Sequence, residues 1–169
     1  MDSDVKTVID ELIVERAPWY HKQGVPQLVL RACLNGLLSY RHTVELANSL
    51  ATLSAERIFT DVGRDLSKNV QVSGIQNIPS DGPALIVCNH PTGIADGLIL
   101  HHALLARRDD IYFFANRDIT RVFPQMESMI APVEWRPEKR KHTNMRYLMQ
   151  YVRDATVNGR LGIIFPSGR

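Results

Sequence analysis

Cysteine is nearly missing from this 169-residue chain: Cys33 and Cys88 are the only two, and both stand in apolar surroundings. That excludes a disulfide framework and fits a reducing, cytoplasmic setting. Neither thiol has a metal-ligand partner nearby. Long hydrophobic runs are missing too, since no stretch approaches the roughly 20 apolar residues of a membrane span. Any contact with lipid must therefore be made from the surface. The first residues carry Asp2, Asp4, Asp10 and Glu11 without a continuous apolar core, so no signal peptide is expected there. No single charge sign dominates: 20 basic residues against 18 acidic give +2, too close to neutrality for charge alone to indicate nucleic acid. Internal repeats and low-complexity tracts are absent. What remains is an ordinary globular composition, 44% hydrophobic and 22% charged, enough for a domain with a sizeable core.

Residues 1–68 read as a helical N-terminal segment. Val5, Val8, Ile9, Leu12 and Ile13 recur at helical spacing before Pro18 interrupts, a second pattern spans Val25–Ser39, and a third runs through Val44, Leu46, Leu50 and Leu53. Such faces pack on their own core or, with Trp19, Tyr20 and scattered Arg, lie on a bilayer. From Asn69 the grammar changes. VQVSGI alternates, so a sheet is expected to begin there, and NIPSDGP reads as a turn. Strands are then expected at Leu85–Cys88, Ile111–Phe114, Val133–Trp135 and Leu161–Pro166. Helices are expected up to Arg108, from Asp118 to about Met129, and from Thr143 to Val157. The order predicts an α/β fold, a mostly parallel sheet flanked by helices, over 69–169. Because the chain stops at Arg169 inside a Pro-Ser-Gly turn, it is expected to be a fragment truncated at its C-terminus.

The stretch hardest to explain as packing is Asn89–Gly97, NHPTGIADG, between the apolar run Ala84–Cys88 and the apolar run that follows it. Pro91 and Gly93 punctuate a turn, so His90 is expected at the carboxyl end of a buried strand, where open α/β sheets present ligand-binding residues. Five residues lie between His90 and Asp96, which would point apart on one regular helix. A bend through Pro91–Gly93 can bring them together, eased by a glycine. An imidazole held by a carboxylate is a general base with its orienter. The plainer reading makes Asp96 a helix N-terminal charge and His90 a hydrogen-bonded turn residue. No G-x-S-x-G elbow accompanies the pair, so the nucleophile is expected to be a substrate hydroxyl.

GPALIVCNHPTGIADG resembles the first motif of the glycerolipid acyltransferases, and its five-residue His-to-Asp interval is similar to the hemolysin-like or ornithine-lipid-type branch with HPxGxxDG. Phe165–Arg169, FPSGR, resembles the family's third motif, with Ser167 in the usual place of Glu and Arg169 in that of Thr or Ser. The resemblance covers about Val70 to the end. It implies transfer of a fatty acyl group from acyl-CoA or an acyl-carrier-protein thioester to a hydroxyl of a lysolipid or glycerol phosphate. His90 and Asp96 would be the catalytic pair, with Asn89, Gly93, Arg117, Arg136, Ser167, Gly168 and Arg169 around the substrate. No bound cofactor or metal and no nucleic acid is implied; the partners are the acceptor, the thioester and a membrane surface at the cytoplasmic inner face. Arg136 is the best match to the family's phosphate-contacting Arg, against its reading as a solvated strand end. The run Arg136–Lys141 reads as a solvated or anionic-lipid-facing loop. His101 and His102 are expected on a helix, one buried and one exposed, and Cys88 is a small core residue near the site. A non-catalytic lipid- or partner-binding relative is the competing reading, and a hydrolase triad with Ser167 is a third.

Overall fold

The computed structural model describes residues 5–17 and 40–166, so the helix expected over Val25–Ser39, together with Trp19, Tyr20 and Cys33, lies outside it. The chain divides into two compact units. The first takes residues up to Leu53 with Arg121–Phe123, and the second takes Ser54–Thr120 with Pro124–Arg169. In the first, α1 (Val5–Arg16) packs on α2 (Tyr40–Ala51), burying Val8, Leu12 and Ala47. The Tyr40 hydroxyl donates to the Asp10 carboxylate across that pair.

The second unit opens with α3 (Ala55–Leu66), whose start is set by Ser54: its hydroxyl accepts the Arg57 amide at 3.3 Å. Glu56 in the first turn and Arg64 in the last complement the helix dipole. Ala55, Ile58, Phe59 and Gly63 form its buried stripe. A sheet of four parallel strands follows, β1 (Ala84–Val87), β2 (Ile111–Asn116), β3 (Ile130–Val133) and β4 (Leu161–Ile164), in the order β1-β4-β2-β3. Three helices accompany them, α4 (Ile94–Leu104), α5 (Asp118–Val122) and α6 (His142–Val157). The fold is α/β, a parallel sheet behind a helical N-terminal part, as the alternation of patterns predicts.

Right-handed crossovers decide which face each helix covers. The chain steps forward from β1 to β2 and backward from β3 to β4, so α4 and α6 fall on opposite faces. Successive side chains of β2 record this. Phe113 points to one face, where Phe59 of α3 stacks on it at 5.1 Å and His101 of α4 lies 6.3 Å away. Tyr112 points to the other, packed with Ala131, Ala155, Leu148 and Tyr151 of the α6 side. The strand interior is sealed: Ile111, Ala131, Leu161 and Ile163 are buried. At the amino end of the sheet, Arg108 chelates Asp110 with two bonds of 2.6 Å and donates to the carbonyls of Gly82 and Gly159, tying the loops before three strands together.

Four expectations need correction. β1 is not the buried strand that its apolar run predicts: it lies at the edge of the sheet, and Leu85 and Val87 are exposed. Val70–Ile75 forms no strand; it is irregular and runs into a 3-10 turn at Ile75–Asn77, and Val70 and Val72 are exposed. Alternation makes a strand only where a neighbour supplies the ladder, and among the described residues none pairs with it. The third strand is Ile130–Val133 rather than Val133–Trp135. It contains Pro132, which an edge strand bonded only to β2 tolerates because the missing N–H faces away. The helix from Asp118 to Met129 is two pieces, because Pro124 ends α5 and a 3-10 turn occupies Pro124–Ser128.

Candidate active site

The β1–β4 pairing carries one residue past β1, the Cys88 amide donating to the Ile164 carbonyl at 3.0 Å. His90 thus stands just beyond the carboxyl end of the sheet. The chain then turns through Pro91 and Thr92 to Gly93, whose φ of 73° and ψ of −135° only glycine adopts without strain. Gly93 is the N-cap of α4, and its carbonyl accepts the Asp96 amide at 3.0 Å. The bend brings His90 Nδ1 to 3.1 Å from Asp96 Oδ2. Nδ1 is shut off from solvent, and the approach lies outside hydrogen-bond alignment, so the pair is an electrostatic contact in this conformation.

Asp96 is held chiefly by Thr92. The Thr92 hydroxyl donates to Oδ1 at 2.5 Å and its amide to Oδ2 at 3.0 Å. The Thr92 hydroxyl bond, then its amide bond and the adjacent His90, hold the carboxyl below the ordinary carboxylate range against the opposing effect of burial. Asp96 also sits in the first turn of α4, where a negative charge is favoured. The ring of Phe165, the first residue past β4, stacks on His90 with centroids 4.4 Å apart and planes 26° from parallel. Burial, then the nearby Asp96, push the Cys88 thiol up, so it stays protonated and is a poor nucleophile. Among the described residues no three His, Cys, Asp or Glu side chains gather to hold a metal ion.

Asn89, His90, Gly93 and Asp96 therefore meet at one strand end. Arg117 follows β2 on the same edge, about 10 Å away by strand spacing; it is exposed and its guanidinium donates to Asn144. Arg136 is buried. Its guanidinium pairs with Asp118 at 2.8 Å and Glu134 at 2.9 Å, and that engagement holds the Glu134 carboxyl below its ordinary range. Ser167, Gly168 and Arg169 lie outside the described residues. Of the histidine pair, His101 is buried and His102 half-buried. Two residues at the site were not selected by sequence reasoning. Thr92 reads from sequence as part of the bend; a Thr ahead of a helix start with an acid in the first turn, similar to a capping box, is the available signal. Phe165 opens the FPSGR motif but reaches His90 only because β4 inserts beside β1.

The site is thus an imidazole and a carboxylate at the carboxyl end of an edge strand in a parallel α/β domain, the end at which such sheets present ligand-binding residues. The chain belongs to the acyltransferase family: the family model described as Acyltransferase matches residues 69–169. No curated protein and no solved structure matches the chain.

Proposed function

We propose that this acyltransferase moves a fatty acyl group from an acyl-CoA or acyl-carrier-protein thioester to a hydroxyl of a lysolipid or glycerol phosphate. The reading is carried by the His90–Asp96 contact within NHPTGIADG. His90 Nε2 takes the acceptor's hydroxyl proton, the oxygen attacks the thioester carbonyl, and the thiol leaves with the proton carried by the imidazole. Asp96, kept ionised by Thr92, balances the imidazolium. The five-residue interval and the glycine-bounded turn favour the HPxGxxDG branch. Asn89, Gly93, Arg117 and the 167–169 segment would contact substrate. Arg136, paired with two carboxylates, would hold the end of β3 against the start of α5, so its bearing on the acceptor phosphate is indirect.

The site faces a membrane surface in this reading. Among the described residues no helix is long and apolar enough to cross a bilayer, and Ile94 and Trp135 are exposed near the same sheet edge. Lys139, Arg140 and Lys141 adjoin Trp135 and suit an anionic inner leaflet. The test is incubation of the purified full chain with labelled acyl donors and a panel of lysolipids. Transfer should fall by about 10²–10⁴-fold in His90→Ala; no transfer, or equal transfer by the variant, overturns the reading.

A further inference from the structure

We propose that Phe165 is a positioning residue that locks the imidazole of His90 into the one orientation useful for proton transfer; this rests on the reading of His90 as the base. The sheet order puts it there. β1 and β4 are neighbours in register, Val87 opposite Ile164, and the Cys88–Ile164 bond extends the pairing by one residue. Phe165 is therefore delivered beside the turn that carries His90. Alternation along β4 sends Ile163 and Phe165 to the face covered by α4. There the Phe165 ring approaches Gly97, whose missing Cβ would lie 4.0 Å from Cε2.

The imidazole is bounded on two sides. Asp96 stands at its Nδ1 edge at 3.1 Å, and Phe165 covers one face at 4.4 Å. A half-turn of the ring about its Cβ–Cγ bond would carry Nδ1 away from the carboxylate and sweep the ring edge through the space of the phenyl ring. The stack opposes that motion by sterics and by the loss of the contact between the two ring faces. The Asp96 contact does not meet hydrogen-bond alignment in this conformation, so it holds the ring less firmly than an aligned bond would. The stack supplies the missing constraint, leaving Nε2 as the nitrogen presented to substrate.

The experiment compares the full chain with Phe165→Leu, which keeps an apolar side chain but removes the stack, and Phe165→Tyr, which keeps it. With Phe165→Leu, kcat should fall about tenfold, as a misaligned catalytic group requires, while KM for donor and acceptor stays within about twofold. Phe165→Tyr should restore kcat, and thermal melts should show all three chains folded. In NMR spectra with labelled histidine, the His90 ring protons should lie upfield in wild type and Phe165→Tyr and lose that shift in Phe165→Leu. Wild-type kcat in Phe165→Leu, a change confined to KM, or failure of Phe165→Tyr to rescue would each overturn the proposal. If the wild-type chain transfers no acyl group, the function proposed above falls by itself. The NMR comparison then decides the stack: unchanged His90 resonances in Phe165→Leu reject it, and the lost shift upholds it.

Discussion

His90 and Asp96 meet because Gly93 occupies a backbone region closed to other residues, and Thr92 then fixes the carboxylate through two bonds. Thr92→Val keeps the amide bond and loses the hydroxyl bond that does most to hold Asp96 ionised. Its kcat is expected to fall several-fold while Thr92→Ser stays near wild type, read by steady-state kinetics on the same acceptor. Arg136 lends itself to a different measurement. Its guanidinium bonds two carboxylates whose side chains are buried, so Arg136→Met withdraws that cation from both Asp118 and Glu134. The expected cost is about 3–5 kcal/mol in urea unfolding. A residue that only touches substrate phosphate would instead raise KM and leave the unfolding midpoint unmoved.

Among the helices, α3 and α4 approach each other closely at Gly63, where an added Cβ would sit 2.6 Å from the Leu98 carbonyl. Gly63→Ala must push the helices apart, at a cost of about 1–3 kcal/mol. Gly97 differs although it lies in the motif itself. A Cβ there would meet Phe113 at 3.8 Å and Phe165 at 4.0 Å, ordinary contact distances. Gly97→Ala should leave the melting temperature unchanged or raise it, since alanine favours a helix by up to about 1 kcal/mol over glycine. Melts of the two variants side by side check both. The same elements show how far pattern reading goes. Long helices and apolar strand runs were legible, because an amphipathic stripe or a continuous apolar run needs only its own residues to be recognised, but the exposure of Leu85 and Val87 on β1 was not. The place of β3 was not, because Pro132 counts against a strand until one knows that β3 is an edge.

In the molecule as a whole, His101 links the core to pH. It is packed between Phe59 and Phe113, and burial, then neighbouring His102, lower it from 6.5 to about 4. Between those values the unfolded chain binds more protons than the folded one. Its contribution is therefore full above about pH 6.5 and is lost as the pH falls toward 4. The stability difference between wild type and His101→Leu should narrow or reverse over that interval, by up to about 3 kcal/mol, in urea titrations at pH 7.5 and 4.5. The membrane contact proposed above would likewise belong to the assembled surface. Liposome flotation should be stronger with anionic than with neutral vesicles, weaken at high salt, and be reduced by Ile94→Asp combined with Trp135→Ser.

The sequence by itself determined the class of fold and the turn that carries His90 and Asp96, because strand, helix and bend signals are local and lie within NHPTGIADG and its flanks. It also contained Arg136 and Phe165, but their situations could not be read there. Whether Arg136 meets solvent or two buried carboxylates depends on β3 ending beside α5, 18 residues away in the chain. Whether Phe165 touches His90 depends on β4 inserting between β1 and β2 rather than adding at an edge. Strand order is settled by burial summed over the whole sheet, and no short stretch of residues encodes that sum.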